Sequence, residues 1–153
     1  MGDIERIAKA FRKAVEIAII NNEKGDYFER FPYGQCGTTS DMLAQYYIDN
    51  GFKHVMYVNG IFNSGSINQG IAHTWLLIDD VIVDITGDQF KEKEYPPIKF
   101  DKTVYVGKET DFHKQFDINH GSFHEHNGLD STWFNYYDLK KWYKIILKYI
   151  MHP

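Results

Sequence analysis

Cysteine is almost absent from this chain: 153 residues carry one, Cys36. A lone thiol excludes an internal disulfide and leaves a free sulfur, which fits a reducing compartment. Positive charge is not in excess either. Lys and Arg number 17 against 21 Asp and Glu, for a formal charge of −4, so no electrostatic footprint for nucleic acid is present. No apolar run approaches the roughly eighteen residues of a membrane span. The opening Met1-Gly2-Asp3-Ile4-Glu5-Arg6 lacks the apolar region of a signal peptide. Gly2 stands where N-myristoylation begins, but Arg6 occupies a position that motif reserves for Ser or Thr. The expectation is a cytoplasmic protein, or a bacterial effector exported from its cell, without nucleic-acid or membrane partners. Repeats, low-complexity segments and linkers are also lacking. Residues 1–153 therefore read as a single domain, long enough to bury a core.

Aromatic residues, by contrast, are abundant at 16%, with eleven Tyr and eleven Phe. The apolar periodicity predicts a helix over 3–20, with Ile4, Ile7, Ala8, Phe11, Ala14, Val15, Ala18 and Ile19 on one face. Glu5, Arg6, Lys9, Arg12, Lys13 and Glu16 take the other. A second helix is expected from Cys36 to Asn50, with Thr38, Thr39 and Ser40 as competent N-caps and Asn50-Gly51 as the stop. The period then changes. Residues 53–62, 71–78, 81–86 and 103–106 read as strands. Residues 91–99, with Pro96-Pro97, read as a surface loop, and 108–129 as polar, His-rich and irregular. A last helix is expected near Asn135, where Asp138 suggests a capping box, through Ile150. This order points to an α+β domain, helices packed on an antiparallel sheet.

Cys36 opens the second helix in Gly34-Gln35-Cys36-Gly37. A free thiol has a pKa near 8.5, and both a helix N-terminus and a nearby imidazolium lower it. His73 in Ala72-His73-Thr74-Trp75 and Asp84 at the end of Val81-Ile82-Val83-Asp84 supply a base and its orienter. If Asp79-Asp80 is a two-residue turn, Ile78 pairs with Val81 and Trp75 faces Asp84. His73 and Asp84 then become diagonal neighbours on one face. A three-residue loop without a bulge would separate them to opposite faces. The Cys36 amide and the Gln35 side chain are candidate donors to an oxyanion.

A helix-opening Cys, a His at the start of a strand and an Asp on the next strand resemble the papain-like superfamily in its broad sense. The likeness is greatest to its transglutaminase-like and bacterial papain-fold branches. His73-Thr74-Trp75 and Asp84-Ile85-Thr86 are similar to the His-x-Trp and Asp-x-Thr elements of transglutaminase-like sequences, and the resemblance covers about residues 30–90. It implies a papain-like/transglutaminase-like core in which a helix packs on an antiparallel sheet. It also implies amide-bond chemistry through a thioester, with Cys36 as nucleophile, His73 as base and Asp84 as orienter, and without a metal or organic cofactor. The implied activities are peptidase, deamidase and transglutaminase, on a protein or peptide substrate. In classical papain-type peptidases the nucleophile comes a few residues after a similar Gly-Gln-Cys-Gly; Thr39 holds that place here, so this local match is coincidental.

Two other readings stand beside the enzyme. One is a non-catalytic binding module on the same fold with a buried, inert Cys36. The other is a metal-dependent hydrolase built on His120, His124, Glu125 and His126, with His113 upstream, although Gly121-Ser122 breaks the helix that would align such ligands. Gln89, after Asp84, is placed to line the same cleft but reads first as a surface-loop residue, and Tyr46, Tyr47, Trp133, Phe134, Tyr136 and Tyr137 read as core and rim.

Overall fold

A computed structural model describes residues 2–21, 29–62, 70–131 and 136–151. Three α-helices, α1 (Gly2–Ile20), α2 (Cys36–Asp49) and α3 (Tyr136–Met151), accompany five strands. The strands are β1 (Met56–Phe62), β2 (Ala72–Ile78), β3 (Val81–Asp84), β4 (Tyr105–Gly107) and β5 (Phe116–Glu125). They form one antiparallel sheet in the order β4-β3-β2-β1-β5. The expected α+β class, helices on an antiparallel sheet, is what the chain adopts. Among the described residues no helix is long and apolar enough to cross a membrane.

The sheet has an apolar core on each side because its central strands alternate between two buried faces. Leu76 and Ile78 of β2 and Val83 of β3 face Ile4, Ile7, Phe11 and Val15 of α1, Met42, Leu43 and Tyr47 of α2, and Leu139 and Ile146 of α3. Fully burying each large apolar side chain stabilises the fold by about 1.5–3 kcal/mol. Val58, Trp75 and Ile82 point to the opposite side, where Phe90, Phe100, Phe112 and Phe116 cover them. The segment 87–116 is thus a second covering layer rich in aromatic residues.

Three expectations are corrected. Residues 108–129 are not irregular throughout: β5 forms the sheet edge beside β1 over ten residues. Its register against β1 jumps from Asn59↔Ser122 to Ile61↔Asp117. That bulge, and the exposure of most of the strand beyond Asp117, erase the alternation by which a strand is recognised. The N-cap of α2 is Gln35, with no side-chain cap bond, rather than Thr38, Thr39 or Ser40. Arg12, placed by periodicity on the solvent face, is buried. Its Nη1 and Nη2 each lie 2.9 Å from one carboxylate oxygen of Asp88, Nη1 also donates to Ile85 O at 2.7 Å, and Nε meets Glu16 at 2.7 Å. The Asn135 capping box falls outside the described residues.

Arg12 therefore clamps α1 to the turn at Gly87–Phe90. Replacing it with Lys keeps the charge but not the two-pronged fit, and leaves buried acceptors unmet. Arg12→Lys is expected to lower unfolding stability by about 3 kcal/mol in urea titrations, and a loss under about 1 kcal/mol would rule the clamp out.

Candidate active site

Asp79 and Asp80 both adopt left-handed φ, 50° and 63°, as a type I′ two-residue turn requires. The turn pairs Ile78 with Val81, Leu77 with Ile82 and Leu76 with Val83. The even loop length holds, and His73 and Asp84 fall on one face as the strand arithmetic predicts. His73 Nε2 lies 2.8 Å from Asp84 Oδ2, with both side chains fully buried. The backbone N–H of Thr86 donates to Asp84 Oδ1 at 3.1 Å. In Asp84-Ile85-Thr86 the Thr thus serves through its amide; its hydroxyl is buried with no hydrogen-bond partner among the described residues.

Cys36 reaches this pair from the first turn of α2. Its thiol stands near enough to the His73 imidazole and to Thr74, the next residue along β2, for both to favour its thiolate. The first helical bond runs from Thr39 N to Gln35 O at 3.0 Å. The N–H groups of Cys36, Gly37 and Thr38 are therefore the ones a helix leaves without intrahelical partners, and they concentrate partial positive charge beside the sulfur. Two glycines shape the approach. Gly34 sits at φ 69°, a conformation a side chain disfavours. A Cβ at Gly37 would come within 3.2 Å of the Tyr57 hydroxyl, so glycine lets that phenol stand against the helix end.

The electrostatics of the three groups are mutually consistent. Burial pushes the Asp84 carboxyl up, but the charge of His73 and hydrogen bonds from His113 and His73 outweigh it and hold the group well below the usual carboxylate range. Burial pulls His73 down, yet the charge and hydrogen bond of Asp84, followed by Cys36, raise it to about 9. Burial also pushes the Cys36 thiol up; the hydrogen bond and charge of His73, then the Thr74 amide and hydroxyl, bring it below its ordinary value. Tyr57 is raised to about 12 by burial and by the charges of Asp41 and Cys36, so the phenol beside the thiol keeps its proton. Cys36 itself is half-buried, the least buried member of the trio.

Two further residues belong to this cluster, neither in the role that the sequence favours for it. Gln89, expected on the surface, is 3% exposed. Its Oε1 accepts from the Gly34 amide at 3.4 Å, while Nε2 donates to Thr86 O at 3.1 Å and approaches His73 Nδ1 at 3.4 Å. It ties the segment before Cys36 to the segment after Asp84, with His73 between. His113 was grouped with the downstream histidines. Its Nε2 instead lies 2.8 Å from Asp84 Oδ2, the same oxygen that His73 meets. The contact spans 29 residues, and no local spacing encodes it.

Gln35 occupies the helix entry half-buried. The Thr38 hydroxyl lies 3.2 Å from Gln35 Oε1; this contact orients the amide by its oxygen. The downstream histidines disperse. His126 Nε2 meets Asp41 Oδ1 at 2.9 Å, and the Gly128 amide donates to its Nδ1 at 3.0 Å. His124 stacks on Tyr57, with centroids 5.1 Å apart. The side chain of His120 lies outside the described residues. Among those described, His73, Asp84 and His113 are the group whose possible ligand atoms gather, within 4.8 Å of one another. Both imidazoles already stand at hydrogen-bond distance from one carboxylate oxygen and His73 is engaged with Cys36, so hydrogen bonds account for the cluster. A separate groove of about 620 Å³, lined by Trp75, His113, Phe116, Ile118 and Phe123 among others, opens on the sheet face away from the helices, and Cys36 does not line it.

No family model, curated protein or solved structure matches this chain. The functional reading therefore rests on the chemistry of the cluster itself.

Proposed function

We propose that this protein is a cysteine hydrolase or acyl-transfer enzyme that acts on amide bonds of a protein or peptide through a thioester. One observation carries the reading: a half-buried thiol at a helix N-terminus, drawn below its ordinary pKa by an imidazole that a fully buried carboxylate holds in place. That arrangement activates a nucleophile and supplies a proton to a leaving group. The helix packed on an antiparallel sheet supports a papain-like or transglutaminase-like core, and the order Cys36, His73, Asp84 supports that branch.

In the first step the Cys36 thiolate attacks the carbonyl carbon. The C–N bond breaks, and the amine or ammonia leaves with the proton from His73. Asp84 holds the imidazole in orientation throughout. The Cys36 amide and the Gln35 side chain donate to the oxyanion. In the second step water or an acceptor amine gives its proton to His73, attacks the thioester and releases the thiolate. Neither a metal nor an organic cofactor enters this sequence.

The test is a peptide digest of a whole proteome incubated with the wild type or with Cys36→Ala, in the presence of hydroxylamine. Mass spectrometry is expected to show new peptide termini, deamidated glutamines or hydroxamates only with the wild type. Identical spectra for the two proteins would overturn the reading and favour a binding module on the same fold.

A further inference from the structure

We propose that His113 is a positioning residue for the Cys36–His73 pair, acting through Asp84: its Nε2–H occupies Oδ2 beside His73 and fixes where the carboxylate points and how much of its charge His73 receives. This rests on the cysteine-enzyme reading and adds a fourth residue to it.

The tautomer of His113 follows from its neighbours. The Thr110 hydroxyl oxygen accepts the backbone N–H of His113 at 3.2 Å and lies 2.7 Å from His113 Nδ1. An ionised carboxylate only accepts, so the proton between Asp84 and the ring is on Nε2, aimed at Oδ2 at 2.8 Å. His113 is thus the donor, and the Thr110 hydroxyl holds the other edge of its ring. The ring is locked by the edge of Trp75 at 4.9 Å, Phe100 at 5.2 Å and Phe112 at 5.1 Å, and its side chain is fully buried. Asp84 accordingly accepts three hydrogen bonds, from Thr86, His73 and His113, with no exposure to water.

The consequence has a definite sign. Each hydrogen bond donated to a carboxylate stabilises its charge and weakens what it offers to its other partners. His73 already holds its proton up to about pH 9, and a general acid that grips its proton too firmly is slow to release it near neutrality. His113 moderates that grip. The titratable or charged groups around it are His73 on β2, Asp84 on β3, Tyr105 on β4 with its ring 5.7 Å away, and Glu109, Lys114 and Asp117 along the groove that His113 helps to line. Only Asp84 bonds to its Nε2 among the described residues.

Histidine-labelled protein titrated by nitrogen-15 NMR tests this. In the wild type, His113 is expected to carry a proton on Nε2. His113→Phe keeps a ring in the aromatic cage and deletes the donor; the His73 midpoint is expected to rise by about half a pH unit, a roughly threefold gain in proton affinity. His113→Gln restores an N–H and is expected to return the midpoint toward the wild type. A purely packing role would leave His73 unmoved or lower it. A wild-type His113 with no proton on Nε2 overturns the proposal even if His113→Phe does not fold; so does an unmoved or lowered His73 midpoint in folded His113→Phe, and so does a His113→Gln midpoint no nearer the wild type than that of His113→Phe. The same titration in a Cys36→Ala background separates the two claims: the His113 effect persists there even if Cys36 proves to have no activity.

Discussion

His73→Ala is expected to slow alkylation of Cys36 by iodoacetamide at about pH 6 by tenfold or more, a factor that corresponds to ~1.4 kcal/mol in thiolate stability. Above about pH 9.5, past the ordinary thiol range near 8.5, the two proteins should react at similar rates. The direction follows from the charges on the page. In the wild type the imidazolium, sustained by Asp84, holds the thiolate at a pH where a free thiol is protonated. Without His73 only the helix N-terminus and Thr74 favour the thiolate, so the acid limb of the rate profile moves to higher pH. Superimposable profiles would mean that Cys36 does not depend on His73, and the nucleophile–base pair would be lost as an explanation. Cys36→Ala, in turn, is expected to remove turnover by ~10⁴-fold or more, as deletion of a covalent nucleophile does.

The site divides sharply into what could be read from the chain and what could not. Cys36, His73 and Asp84 were legible because each obeys a short-range rule. Cys36 precedes a helical period, and His73 and Asp84 flank one hairpin whose two-residue turn fixes their parity. Gln89, His113 and Arg12 obey no such rule. Gln89 lies in a turn among charged residues that looks like surface, yet the turn folds under the aromatic layer and the amide meets three partners there. Arg12 sits at a polar position of an amphipathic helix, and partners far along the chain, the carboxylate of Asp88 76 residues on and the carbonyl of Ile85, make its burial favourable. β5 was missed because an exposed, bulged edge strand has no buried face to impose alternation. Local pattern thus revealed the reacting atoms. The residues that hold them in place are joined by loops whose path depends on packing against a completed sheet.

Asp84→Ala is the substitution expected to cost most in stability. It leaves the Nε2–H groups of His73 and His113 buried without an acceptor and removes the charge that sustains the imidazolium. Breaking a buried charge network by deleting one partner costs about 3–5 kcal/mol, or on the order of 10 °C in Tm for a domain of this size. The pH dependence gives a sharper signature. The folded value of His73, about 9, lies above its ordinary 6.5, so its contribution is full below about pH 6.5 and is lost as pH rises through 9. Asp84 lies below its ordinary 3.8, so its contribution is present above that value and is lost as pH falls toward its folded one. Cys36, whose value is lowered, contributes in the opposite direction over the alkaline window, so the signature is read in a Cys36→Ala background, where stability from His73 and Asp84 should be greatest between about pH 3.8 and 6.5 and decline on the alkaline side toward pH 9. Urea unfolding of Asp84→Ala in the same background is expected to lose the decline, because neither Asp84 nor Cys36 is left to raise the His73 value. A double variant that was less stable but kept the slope of Cys36→Ala alone would show that Asp84 matters to packing alone, and that the imidazolium draws its stability from elsewhere.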